Sequence, residues 1–176
     1  LPFWRPFFTQ LGFAVYHSPL SSRELYLKGQ GTIPSDTACF PAKLAHGHVQ
    51  WLVEQGVKTI FHPCVFYEHQ EFGQAQNHYN CPIVTSYSEN IRNNVEEISS
   101  GQVRFRNPFM AFTSEAILTD ILVRTFTEDS MILDAIRPVG DLRANDILET
   151  FHNFHLTRQE VRTAAHKAWQ ELTNAR

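Results

Sequence analysis

Helical and strand-like patterns alternate through the first hundred residues of this chain, and this alternation limits the folds open to it. Short apolar runs predict strands at 13–17, 57–62 and 83–87. Amphipathic runs closed by a glycine predict helices at 3–11, 21–29 and 40–55. The polar segment 65–80 is predicted to be a loop. Because such alternation is typical of α/β proteins, we predict a Rossmann-like parallel sheet flanked by helices.

The second half of the chain shows helical patterns. Helices are predicted at 114–126, 130–136, 141–155 and 157–172. The last of these has the clearest start, because Thr157 and Glu160 match a capping box and Leu156 and Val161 match its hydrophobic staple. We therefore predict a helical C-terminal extension after the α/β part.

Two domains are expected from this division of patterns. An α/β domain over residues 1–100 carries all the cysteines, and a helical extension over 101–176 packs on it. The chain opens in apolar sequence without an initiator methionine. We therefore expect it to be a fragment of a longer protein, so that any function found here is part of a larger one.

The composition excludes two classes of partner. Charged residues make up 19% of the chain and the formal net charge is −3, whereas a dedicated nucleic-acid-binding protein is usually basic. No apolar run approaches the roughly 18 residues that a membrane span needs, and no signal peptide is recognisable. We expect neither a nucleic acid nor a membrane as partner, and a cytoplasmic location.

The three cysteines are Cys39, Cys64 and Cys81, and each is predicted to lie at a junction between elements close to a proline. Their number is odd and no signal peptide precedes them, which argues against a disulfide framework. No Cys-x-x-Cys motif occurs, so neither a zinc ribbon nor a thioredoxin-like motif is indicated. Side chains at junctions can converge from separate elements on one site.

Several interpretations of these thiols are open from the residues alone. They are three unrelated buried thiols, or ligands of zinc with a fourth group, or ligands of an iron–sulfur cluster. A further hypothesis is a cysteine nucleophile, for which His62 is the evident local base. The metal hypotheses predict that the three sulfur atoms lie close together.

Three stretches resemble a known family. They are 32–48 (TIPSDTACFPAKLAHGH), 60–64 (IFHPC) and 79–84 (YNCPIV). Together with the aromatic opening of the chain, they are similar to the 2-hydroxyacyl-CoA dehydratase-related domain, DUF2229-like, of CoA-substrate-specific enzyme activase proteins. The resemblance covers about residues 1–95 strongly and the remainder of the chain loosely. The stretch around the first cysteine is long and therefore specific.

The resemblance implies an iron–sulfur cluster, most simply [4Fe–4S], with Cys39, Cys64 and Cys81 in the ligand positions. It also implies low-potential electron transfer in anaerobic metabolism. The partners that it implies are upstream ATPase (activator) domains in the parent chain and a second dehydratase-like subunit. If catalytic, the domain would act as a lyase or a reductase component together with missing domains, and no catalytic residue is assigned. The alternative is a zinc-stabilised or metal-free interaction domain.

Other polar residues near the cysteines are candidates for supporting roles. Ser35, Thr37 and His62 are possible hydrogen-bonding groups around a cluster, although capping is the simpler role for the two hydroxyls. His46 and His48 point about 200° apart on a helix, so they do not share a metal ion. We predict that His48 lies in the core and His46 at the surface.

Overall fold

The computed structural model describes residues 2–70, 72–127 and 156–175. The helices are α1 (Trp4–Gln10), α2 (Arg23–Gly29), α3 (Phe40–Glu54), α4 (Pro82–Asn94), α5 (Glu96–Ser99), α6 (Glu115–Thr127) and α7 (Arg158–Asn174), with a 3-10 turn at Gln30–Thr32. The strands are β1 (Thr59–Phe61), β2 (Cys64–Tyr67), β3 (Arg104–Arg106) and β4 (Phe109–Ala111). This mixture of helices with short parallel strands confirms the predicted α/β class. No helix among the described residues has the length and apolarity that crossing a membrane requires.

The chain divides into two compact units. The central unit is Tyr16–Ala111, and the terminal unit combines Leu1–Val15 with Phe112–Arg176. All three cysteines lie in the central unit. The domain boundary expected near residue 100 stays a prediction.

The four strands form two parallel pairs, β1 with β3 and β2 with β4. Pro63 and Pro108 separate the pairs, but the hydrogen bonding continues past them. The His62 amide donates to the Arg106 carbonyl at 2.8 Å, and the Cys64 amide donates to the Pro108 carbonyl at 2.9 Å. The two small sheets are thus connected by backbone hydrogen bonds between them, because each proline interrupts its own strand without ending the pairing. Helix α4 lies in the crossover that a parallel connection requires.

The core of the central unit lies where α3, α4 and α5 meet the strands. Its buried members are apolar and come from each of these elements or the turns beside them: Val49, Ile60, Ile91, Val95, Ile98 and Val103. Ile91 and Val95 are completely buried. This burial holds α4 against the strands and so determines what its first turns can contact.

Helices α2 and α3 approach each other backbone to backbone. A Cβ atom on Gly47 would lie 2.0 Å from the Leu25 carbonyl oxygen, and one on Gly29 would lie 2.2 Å from the Gly47 nitrogen. Only glycine at both positions permits this approach. Ser22 begins α2 by accepting a hydrogen bond from the Leu25 amide at 3.1 Å. The segment that connects the two helices carries Cys39 directly before α3.

The terminal unit has an aromatic core and a small-residue helix. Phe7 is fully buried, with its ring centroid 5.8 Å from that of Phe3 and 5.5 Å from that of Phe126. Helix α7 packs on α1 and α6 through the alanines Ala164, Ala165 and Ala168, all buried. The predicted capping box is confirmed, since Thr157 and Glu160 exchange both of its hydrogen bonds.

The prediction of a strand at 83–87 is wrong. These residues lie in α4, which begins at Pro82. The run of β-branched residues favours a strand locally. Proline is well suited to the first helical position, and the burial of Ile91 and Val95 on one face outweighs the local preference. Cys81 therefore precedes a helix rather than a strand.

Two further sequence predictions need correction. Residues 14–17 have no regular structure, and Tyr16 is 71% exposed, because the turn at Gly12 (φ +86°) returns Phe13 towards α1 instead of starting a strand. The segment 65–80 is not a plain loop. It contains most of β2, and Tyr67 pairs with Tyr79 in an antiparallel bridge.

Strands β3 and β4 were not predicted, because runs of three residues are too short to show a period of two. The predicted helices at 130–136 and 141–155 lie outside the described residues.

Candidate functional site

Each of the three cysteines lies beside helix α4. Cys81 is the residue that precedes the helix at its N-cap position. The Cys39 sulfur lies 3.5 Å from the Tyr87 hydroxyl, and the Cys64 sulfur lies 2.6 Å from the Ser88 hydroxyl. Because Tyr87 and Ser88 are consecutive on α4, two cysteines distant in sequence contact adjacent residues of the helix that the third one begins.

Cys39 is exposed at the N-cap of α3. Hydrogen bonds from the Tyr87 hydroxyl and then from the Ala42 amide lower the pKa of Cys39 below its usual value. Both favour the thiolate, since each places a donor on the charged sulfur. A helix N-terminus adds a partial positive charge in the same place. Cys39 is therefore more readily converted to a metal-binding thiolate or a nucleophile than the buried Cys64.

Two cysteines influence the pKa of Tyr87. Burial, the hydrogen bond to Cys39, and then the charges of Cys39 and Cys81 raise the pKa of Tyr87 to about 12. The phenol therefore keeps its proton at neutral pH and acts as a donor. This places Tyr87 within electrostatic reach of both exposed thiols.

Cys64 differs from the other two cysteines because it is buried. Its exposed fraction is 1%, and this burial is the main cause of its raised pKa. The hydrogen bond from Ser88 lowers the pKa in part, and the negative charge of Glu89 raises it further. Ser88 is itself 1% exposed. The pair is a small polar contact within apolar surroundings, and it holds Cys64 as a neutral thiol until a cation or a metal compensates the charge.

Replacing Tyr87 with phenylalanine should slow the alkylation of Cys39. The change removes the main cause of the lowered pKa, so the midpoint of alkylation rate against pH should move upward and the neutral-pH rate should fall. The measurement is iodoacetamide labelling of chelator-treated, reduced protein, followed by peptide mass spectrometry. The rate at Cys64 serves as the internal reference. An unchanged Cys39 profile would contradict the assigned role of the phenol.

The three predicted supporting residues do not share one environment. Ser35 and Thr37 bond to each other, with 2.8 Å between their hydroxyl oxygens, and Ser35 also accepts from the Thr37 amide. Neither caps α3, whose N-cap position is Cys39. His62 stacks on Phe105 at 6.0 Å between ring centroids, and its buried Nδ1 has no hydrogen-bond partner among the described residues.

The placements predicted for His46 and His48 are wrong. His46 is 4% exposed, and its Nδ1 lies 2.8 Å from the Thr32 hydroxyl. His48 is part-buried and lies within hydrogen-bonding distance of Ser18 and Ser21. The glycine contact between α2 and α3 turns the His46 side of α3 inward. The hydrogen bonds of both imidazoles connect α3 to preceding segments of the chain. Burial lowers the pKa of each imidazole.

Tyr87 and Ser88 were not among the predicted site residues. A prediction of a helix at 82–94 would have indicated them, because it places the two residues one to two turns after Cys81. Because a strand was predicted at 83–87, these two residues were not expected beside the cysteines.

The family assignment follows from a comparison of the whole chain. The family model "CoA enzyme activase uncharacterised domain (DUF2229)" matches residues 1–176. The chain belongs to this family. Searches of curated proteins and of solved structures found no significant match. The family match therefore includes residues 96–176, which the sequence resemblance covers only loosely.

The three thiols of this activase domain are soft donors of the kind that zinc and iron–sulfur clusters use. Within residues 2–70, 72–127 and 156–175, no three His, Cys, Asp or Glu side chains are grouped so as to hold one metal ion. An iron–sulfur cluster also needs its thiolate ligands close together, so the convergence of the three sulfur atoms stays a prediction. Soft thiolates at element junctions, two of them at helix N-termini, are suitable donors for such a group.

Proposed function

We propose that this activase domain binds an iron–sulfur cluster, [4Fe–4S] in the simplest case, through Cys39, Cys64 and Cys81. The observation that supports the proposal is that Cys81 directly precedes α4, while Cys39 and Cys64 contact the adjacent residues Tyr87 and Ser88 on that helix. The cluster would supply one-electron chemistry at low potential. The resemblance to 2-hydroxyacyl-CoA dehydratase-related domains, noted from the sequence, is consistent with this role.

The surroundings of the three sulfurs suit a cluster that carries negative charge. The N-termini of α3 and α4 lie at Cys39 and Cys81 and provide partial positive charge. The Tyr87 hydroxyl and the Ala42 amide can donate to the Cys39 sulfur, and the Ser88 hydroxyl to that of Cys64. Hydrogen bonds to ligand sulfurs are among the factors that set a cluster's potential.

The partners of such a domain would be the ATP-hydrolysing activator part of an activase protein and a second dehydratase-like subunit. Membership of the activase family supports a place within a larger protein. The sequence has no Gly-rich phosphate loop, which is consistent with the cluster side of the system rather than the nucleotide side. Any lyase or reductase activity would then depend on those partners.

The proposal is tested by measuring iron, zinc and sulfide on protein prepared and kept without oxygen. We expect iron and sulfide in near-equal amounts with a broad visible absorbance. Both should be lost in Cys39→Ala and in Cys81→Ala, whose side chains are exposed, so that these changes leave the fold intact by circular dichroism. Ser100→Ala, on an exposed turn of the same unit, should retain the full content.

Two results would contradict the proposal. Zinc alone, or no metal after anaerobic reconstitution with iron and sulfide, would favour the zinc-stabilised or metal-free interaction domain. Iron retained in both cysteine variants would place the ligands elsewhere in the chain.

A further inference from the structure

An open pocket of about 620 Å³ lies in the central unit beside the start of α4. The residues lining it come from β2, β4, α4 and the segment before α4: Phe66, Asn77, Tyr79, Asn80, Cys81, Pro82, Thr85, Ser86, Glu89 and Phe109. Its volume falls in the range of small-molecule sites, about 300–1,000 Å³. Apart from Cys81, none of these residues belongs to the proposed cluster site.

Aromatic side chains form much of the wall. The ring centroids of Phe66 and Phe109 are 6.4 Å apart with their planes tilted by 56°. Phe109 is 60% exposed and Tyr79 is 65% exposed, although both are large apolar side chains. Tyr79 is held in place by an edge-to-face contact with Tyr67 at 4.4 Å between centroids. Aromatic faces that remain in solvent around a concave surface are typical of ligand sites.

Most polar groups of the wall are already occupied by the protein. The Thr85 and Ser86 hydroxyls donate to carbonyls of the preceding turn at 3.4 and 3.0 Å. The Asn80 amide donates to the Val65 carbonyl and to the Glu68 carboxylate. Asn77 accepts from the Tyr79 amide at 2.9 Å. These groups therefore stabilise the pocket's shape and leave little hydrogen-bonding capacity for a ligand.

The charge of the pocket comes from one carboxylate. Among the described residues that line it, Glu89 is the sole charged side chain, and no lysine, arginine or histidine is present. The Asn107 amide donates to Glu89 Oε1 at 2.6 Å, which orients the carboxylate without neutralising it. A carboxylate has about four acceptor positions, so most of its capacity remains. An anionic ligand would meet repulsion here and no compensating cation.

We propose that this pocket binds a small organic cation, an ammonium group attached to an apolar or aromatic body. The carboxylate of Glu89 receives the charge, and the faces of Phe66, Phe109 and Tyr79 attract the cation through their quadrupoles while covering the apolar part. A ligand of this class matches both the sign of the charge and the aromatic wall. The proposal goes beyond cluster binding and does not rest on it.

The test uses three soluble probes with the same phenyl ring and similar length but different charge. They are 2-phenylethylammonium, 2-phenylethanol and 3-phenylpropanoate, titrated into the purified chain by calorimetry and by NMR. We expect the ammonium probe to bind at least about tenfold more tightly than the alcohol, and the carboxylate to bind most weakly. The NMR resonances of the pocket residues should shift when a probe that binds is added, and should not shift when a probe that does not bind is added.

Variants identify which side chains of the pocket determine the preference for the cationic probe. Glu89→Gln should remove the preference for the cation over the alcohol, whereas Glu96→Gln, an exposed acid of the same unit, should leave it unchanged. Phe109→Leu should lower the affinity for the ammonium probe several-fold. Because this ring is exposed, the substitution should leave the fold intact. Equal affinity for all three probes, no binding at millimolar concentration, or an unchanged preference in Glu89→Gln would each overturn the proposal.

Discussion

Gly47→Ala is expected to destabilise the central unit by about 3 kcal/mol or more, and to prevent its folding if the unit is marginally stable. The added methyl group would lie 2.0 Å from the Leu25 carbonyl oxygen, a backbone atom that no rotamer change can move. Relief requires α2 and α3 to separate. That separation also moves the buried contact between His46 and Thr32 at 2.8 Å.

The measurement is urea unfolding followed by far-UV circular dichroism, with hydrogen exchange to localise the change to α2 and α3. Gly31→Ala is the matched control, because a Cβ there meets nothing within 4 Å and the backbone φ is not positive. That variant should be neutral or slightly more stable, as the alanine reduces the freedom of the unfolded chain. Equal stability of the two variants would contradict the close approach of the helices.

Phe7→Ala is expected to destabilise the terminal unit by about 3–5 kcal/mol. The side chain is completely buried, and its ring contacts four other aromatic rings, those of Phe3, Trp4, Phe8 and Phe126. Truncation removes the buried area and leaves a cavity that rigid neighbouring rings fill poorly.

The control for this change is Phe72→Ala, the same substitution at a side chain that is 74% exposed. It should alter stability by less than about 0.5 kcal/mol. Both variants are compared by urea unfolding with tryptophan fluorescence, since Trp4 lies beside Phe7 at 6.2 Å between ring centroids. A loss below 1 kcal/mol in Phe7→Ala would show that this ring does not organise the core.

The helices with explicit end signals were predicted well. Ser22 accepts from the Leu25 amide at the start of α2, and Thr157 and Glu160 form their capping box at the start of α7. Gly56 ends α3 with φ of +78°. These features are local, because each depends on atoms within one turn of the helix, and so they are visible in the order of the residues.

The site was predicted only in part. The positions of Cys39, Cys64 and Cys81 at junctions between elements agree with the structure, since two of them precede helices and one begins a strand. Their shared neighbours on α4 were missed along with the helix itself. Whether the three thiols hold a cluster stays a proposal that metal analysis decides.

By itself, the sequence determined the capped helices, the α/β class and the cysteines' places at element ends, because short-range hydrogen bonds and hydrophobic periodicity specify these features. Only the tertiary structure decided that 82–94 is a helix, that His46 rather than His48 is buried, and that Tyr87 and Ser88 lie beside Cys39 and Cys64. Each of these depends on contacts between residues far apart in the chain. The free energy of burying one face outweighs local preferences of a few tenths of a kcal/mol per residue.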